Sequence, residues 1–139
     1  MKRLQLIVPM LACCLALPYL SFTDVKDSYL VLQVDTTQKY EQYSYVNEKG
    51  ETVVPSNRYL LCYTDTIRTI GFVLKPNVGC VAINTQGQEL FNVYMVDNGN
   101  DYPVDGLFRI LDESGLKMGV ANMEGQVIVN PKYDAIFPY

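Results

Sequence analysis

A short string that recurs three times in near-constant register constrains this chain more than any other feature. It reads NEKGE from Asn47, NTQGQ from Asn84 and NMEGQ from Asn122. Each copy is Asn-x-x-Gly followed by Glu or Gln, and Gly50, Gly87 and Gly125 stand 37 and then 38 residues apart. The chemistry is that of a hairpin turn. An asparagine carbonyl can cap such a turn, and glycine takes the left-handed conformation that closes a short loop with a bulge. Alternating apolar residues precede each copy: Tyr43 and Tyr45, then Val81 and Ile83, then Val120. β-rich runs follow at Thr52, Glu89 and Val127. A fixed period of this size marks a tandem repeat whose units bury their faces against one another.

The runs between turns favour strand over helix. Val, Ile, Tyr, Phe and Thr dominate them, and no stretch beyond the first 20 residues keeps a helical apolar spacing for two turns. Strands are predicted near 29–34, 43–46, 52–54, 59–64, 67–74, 79–83, 90–96, 107–111, 118–121 and 127–129. Short strands separated by regular turn signals predict an all-β fold, here an antiparallel meander of tandem β-hairpin repeats. The units fall near 43–76, 78–111 and 116–139, within a domain spanning 22–139.

The first 21 residues are a different material. Lys2 and Arg3 begin them, and residues 4–20 are almost wholly apolar, broken by Gln5, Pro9 and Pro18. That plan is a secretory signal segment; the two prolines and the absence of a following charge cluster disfavour a membrane span. Met10-Leu11-Ala12-Cys13 has the form of a lipobox and makes Cys13 a candidate lipidation site. The apolar run continues past Cys13, so cleavage near Ala16 or a little later is the alternative. Export implies a periplasmic or cell-envelope location, with an outer-membrane lipoprotein as the lipidated variant. Contact with a membrane is expected only through the leader or a lipid anchor.

Formal net charge is −4, and removing Lys2 and Arg3 leaves the body more acidic still. An acidic body has no electrostatic footprint for phosphate backbones, so nucleic acid is not an expected partner. The chain contains no histidine, which removes Ser-His and Cys-His nucleophile pairs and the usual zinc sites. No glycine-rich phosphate loop leads into a helix. We therefore expect a chain without catalytic residues, cofactor or metal. Asp97, Asp101 and Asp105, with Asn98 and Asn100, offer oxygen ligands, yet Gly99 and the missing twelfth-position glutamate do not fit a calcium loop. A polar connecting loop is the preferred reading. Cys62 and Cys80 fall in runs separated by another strand, about 9–10 Å apart in a flat sheet, which favours free thiols over a bridge.

Residues 105–139 resemble a WG (KWG) β-repeat. Gly106, Leu107 and Arg109 match that family's opening strand, and Gly119 matches the glycine of its Trp-Gly pair. Asn122 and Gly125 match its turn; Ile128, Pro131, Tyr133 and Asp134 match its closing segment. The chain has no tryptophan: Met118 stands at that position, with Cys80-Val81 and Tyr43-Ser44 replacing the pair in two degenerate earlier copies. The resemblance implies a repeat scaffold of the bacterial envelope, without a general activity to transfer. It also implies that Tyr133, the aromatic closing a unit, is core. Separately, the strand register set by the turn at Gly125 puts Ile128 inward. Such a repeat normally runs on into a further opening strand, so the array is either short or truncated.

Among the tyrosines, Tyr43 and Tyr45 share one face at strand spacing, as do Tyr59 and Tyr63. They form a candidate binding face, since a ring with a hydroxyl suits a wet interface. The expected function is an exported, non-catalytic binding or interaction module, its partner an envelope protein or glycan. The alternative is a structural or accessory lipoprotein anchored through Cys13.

Overall fold

The computed structural model describes residues 28–137, so the leader and Cys13 lie outside the described residues. Among those described there are thirteen strands and no helix. The first five are β1 (Leu30–Asp35), β2 (Gln42–Val46), β3 (Thr52–Val54), β4 (Leu61–Cys62) and β5 (Thr66–Ile67). The next five are β6 (Ile70–Lys75), β7 (Gly79–Asn84), β8 (Glu89–Val93), β9 (Met95–Val96) and β10 (Gly99–Asn100). Three more close the series: β11 (Leu107–Leu111), β12 (Met118–Asn122) and β13 (Val127–Tyr133). Every pairing is antiparallel. One sheet has the order β3-β2-β1-β5, a second β13-β12-β11-β8-β7-β6-β4, and β9 with β10 forms a ribbon.

The same three-stranded meander occurs three times, as β1-β2-β3, β6-β7-β8 and β11-β12-β13. In each, the second and third strands are joined by an Asn-x-x-Gly turn. The glycines Gly50, Gly87 and Gly125 have φ of 79°, 71° and 84°, a region open to glycine and costly for side-chain-bearing residues. Asn47 Oδ1 accepts the N–H of Glu51 at 2.9 Å, Asn84 Oδ1 that of Gln88 at 3.0 Å, and Asn122 Oδ1 that of Gln126 at 2.8 Å. The Glu or Gln after the glycine has its own part. Its side-chain oxygen accepts the same asparagine's amide, at 2.7 Å for Glu51 and 2.9 Å for Gln88 and Gln126.

Just beyond each turn the register slips, leaving Val53, Leu90 and Ile128 as the extra residue of a bulge. A bulge re-aims the side chains around it. For that reason Ile128 does not face inward as expected; it is 52% exposed. Gly119 lies across from a second register shift further along β13, between Val129 and Tyr133. A Cβ there would run into the carbonyl oxygen of Val129 and sit 2.7 Å from the nitrogen of Pro131, so the third unit's glycine is required by close backbone approach.

Successive units are joined in the same way twice. Leu61 and Cys62 pair with Leu74 and Val73 of the second unit; Asn92 and Val93 pair with Leu111 and Ile110 of the third. Tyr63 N–H donates to the Phe72 carbonyl at 2.9 Å, and Tyr94 N–H to the Arg109 carbonyl at 3.1 Å. The bulge of one unit also rests on the turn glycine of the next. A Cβ on Gly87 would lie 2.9 Å from Val54 Cγ2 and 3.4 Å from Val53 Cγ1, and one on Gly125 would lie 3.4 Å from Leu90 Cδ1.

Two apolar clusters lie on opposite faces of β6 and β7. One gathers Leu30, Tyr45, Val54 and Ile67 of the first sheet over Val73, Val81 and Ile83. The other gathers Ile70, Phe72, Cys80 and Ala82 with Val93, Phe108, Ile110 and Ala121. Phe72 and Phe108 meet edge to face at 5.1 Å. Full burial stabilises each branched or aromatic side chain by about 1.5–3 kcal/mol over exposure, so these rows hold the sheets together. Cys62 belongs to the first cluster and Cys80 to the second, both as free thiols. Their separation is therefore by sheet face as well as by strand.

A candidate binding groove

The four tyrosines singled out from the sequence do not form one exposed face. Tyr45 is fully buried and its hydroxyl donates to the Thr64 carbonyl at 2.6 Å. Tyr59 is 3% exposed, with its hydroxyl 3.1 Å from Glu89 Oε1. Burial raises the pKa of both phenols, as a low-dielectric core must for a group that ionises to an anion. Strand alternation in β2 turns Tyr45 toward the second sheet, and Tyr59, in the segment before β4, packs into the same cluster. Tyr43 is half-buried against the same cluster and donates to Glu41. Tyr63 alone opens onto a concavity. Tyr133, expected in the core, is 47% exposed, with the Lys132 ammonium 5.2 Å from its ring centroid.

Around Tyr63 lies a groove of about 380 Å³. One wall is the segment from Tyr63 to Phe72, which crosses between the sheets and carries Thr64, Thr66, Arg68 and Thr69. Facing it are Asn100, Tyr102 and Pro103, with Met123 from the third turn at one end. Tight turns set the second wall. Asp97 and Asn98 adopt φ of 46° and 67°, and Asp105 and Gly106 adopt 51° and 74°, which folds β9-β10 and then residues 104–107 into two-residue hairpins. The Tyr63 hydroxyl donates to the Asn98 carbonyl at 3.0 Å and ties the walls together. Tyr102 is 75% exposed, so its ring is a free platform at the rim. Arg68 stands 5.3 Å from the Tyr29 ring centroid.

Beneath the second wall is a buried ion pair. Asp101 accepts from Arg109 Nε at 2.9 Å, from Arg109 Nη2 at 2.5 Å and from the Arg109 backbone N–H at 2.8 Å. Both side chains are 11% exposed. Arg109 Nη1 also donates to the Ile136 carbonyl at 3.0 Å, and its guanidinium lies 4.6 Å from the Tyr94 ring centroid. A fork of this kind fixes the orientation of both partners. Asp101 is thus a structural anchor and not part of a solvated connecting loop. Asp97, Asn98 and Asp105 hold positive-φ turn positions, and no group of three His, Cys, Asp or Glu side chains among the described residues is placed to hold a metal ion.

Arg68 and Tyr102 carry no sequence signal for a groove because they come from segments with no shared spacing, and the sequence marks Asn100 only as an oxygen ligand.

Residues 118–139 match the family model described as WG containing repeat. That match covers the strand bearing Gly119, the turn at Gly125 and the closing segment. No curated protein and no solved structure matches the chain.

Proposed function

We propose that this chain is an exported, non-catalytic binding module of the bacterial cell envelope, in which two degenerate WG-type repeats precede the recognisable one. The observation that carries this reading is the Tyr63–Tyr102 groove. It offers a free aromatic platform, a guanidinium at Arg68, threonine hydroxyls and an amide, an assortment suited to a partner's polar surface. Its lining provides orientation and contact without a nucleophile-and-base pair. The apolar leader after Lys2 and Arg3 supports export. The expected partner is an envelope protein or glycan, and membrane contact comes only through the leader or a lipid anchor.

Site-specific photo-crosslinking in the native envelope tests this. A crosslinker at position 102 should capture a discrete envelope component, and Arg68→Ala should weaken that capture, whereas a crosslinker at Lys39 should not capture it. Equal labelling from both positions would sink the groove assignment. Mass spectrometry of the mature N-terminus tests export itself. A cleaved leader supports it, an acylated Cys13 selects the anchored accessory lipoprotein, and a soluble cytoplasmic chain retaining Lys2 and Arg3 refutes it.

A further inference from the structure

The two joints inside the chain define what each face of a unit requires. A bulge residue covers the next unit's turn glycine, and a closing segment pairs with the edge of the next opening strand. In the first joint a third contact is added, from Tyr59 to Glu89, the second residue after Gly87. Among the described residues, the first and third units each present one half of such a joint without the other.

On the first unit, a Cβ at Gly50 would meet none of the described residues within 4 Å, whereas Gly87 and Gly125 lie under side chains of the preceding unit. β5 pairs only with Leu30 and Val31 of β1, and Gln33 and Val34 are exposed. Gln33 holds the place of Val73 and Ile110, which are 0% and 2% exposed within the joints. Thr52, at the place of Glu89, is exposed too.

The third unit shows the complementary half. Ile128 holds the place of Val53 and Leu90. The run from Tyr133 to Phe137 repeats the spacing of the run from Tyr59 to Tyr63. Tyr59 is 3% exposed, whereas Tyr133 is 47% and Phe137 82% exposed.

We propose that the third unit of one copy docks on the first unit of a second copy and rebuilds the internal joint between chains. Ile128 then seats over Gly50, Tyr133 reaches Thr52, and residues 135–137 add to β1 along Gln33 and Val34. The contact joins two different surfaces, so copies add head to tail and form a ring or a growing row. Adding a strand also covers an exposed sheet edge. This inference does not depend on the groove or on export.

Sedimentation velocity of the full chain over a concentration series tests it. Association should rise with concentration, and Ile128→Asp and Val34→Asp should each weaken it at least about tenfold. Both side chains are exposed, so their urea midpoints should match the parent's. Mixing the two variants is the decisive measurement. One keeps an intact head and the other an intact tail, so the mixture should form a one-to-one pair and stop there. A parent that stays monomeric up to about 1 mM overturns the proposal. So does a mixture that remains monomeric, or a variant that associates as the parent does; in those cases the two faces serve another partner or another segment of the chain. Should Ile128→Asp fail to fold, Phe137→Glu replaces it with the same expected outcomes.

Discussion

Alanine at the three turn glycines separates backbone strain from contact between units. Gly50, Gly87 and Gly125 share nearly the same φ, so alanine meets the same left-handed penalty of about 1–2 kcal/mol at each. Reduced freedom of the unfolded chain offsets about 0.4–1 kcal/mol of that. At Gly50 no atom of the described residues lies within 4 Å of the new methyl group, and the net loss should be about 0.5–1.5 kcal/mol. At Gly87 the methyl arrives 2.9 Å from Val54 Cγ2, a fully buried group with nowhere to move. Overpacking of this kind adds about 1–3 kcal/mol, for a total near 2–4 kcal/mol. Gly125 should resemble Gly50, because its nearest neighbour is the far end of the partly exposed Leu90 at 3.4 Å. Urea melts read the order directly. With a slope of about 1–3 kcal/mol per molar, Gly87→Ala should melt roughly 1 M below Gly50→Ala. Equal midpoints at positions 50 and 87 would refute the seating of one unit's bulge on the next unit's turn.

Three further outcomes follow from buried groups and charges. Asp101→Asn should cost about 3–5 kcal/mol by leaving Arg109 charged in a buried site, and pairing it with Arg109→Met should recover part of that loss in thermal melts. Burial acts to raise the Glu89 pKa, but hydrogen bonds from Lys75, Tyr59 and Arg58 outweigh it and hold the carboxyl below its usual value of 4.5. The stability it contributes is present above the unfolded value and lost as pH falls through the lower folded value; Glu89→Gln should flatten acid melts below about pH 4.5. Burial raises the thiol pKa of Cys62 to about 11 and that of Cys80 to about 12. Since the thiolate is the reactive form, both should resist alkylation at pH 8 in the native state and react readily in urea. Fast native alkylation of Cys80 would contradict its placement.

Much of the β pattern was legible because strand runs and turn residues carry local signals. The Asn-x-x-Gly turns stand at the expected positions, and every predicted run contains a strand. Misses arise where tertiary contact decides. The run at 67–74 breaks at Arg68 and Thr69, because β5 pairs with β1 in one sheet while β6 enters the other. The run at 90–96 divides at Tyr94, where the chain leaves β8 for the short ribbon. Period-two spacing puts Tyr43 and Tyr45 on one face, yet it cannot say that the face is covered; Tyr59 and Tyr63, paired in the same way, pack against different clusters because Tyr59 lies outside β4. Ile128 was misjudged because the bulge changes the alternation after the turn. Of the groove only Tyr63 was legible: its walls meet because Asp101 is held by Arg109 and Tyr63 by Asn98.

Coverage of β6 and β7 on both faces has a kinetic meaning. Repeat arrays commonly fray from their ends, each unit opening with little effect on those beyond its neighbours. Here the middle unit supplies side chains to both clusters, so neither cluster can dissolve without exposing it. Amide protons of Phe72, Val73, Val81 and Ala82 should then exchange with solvent only through complete unfolding. Those of β3 and β13, at the sheet margins, have a local route. The chain is a three-unit array by sequence and a single cooperative block by its interior.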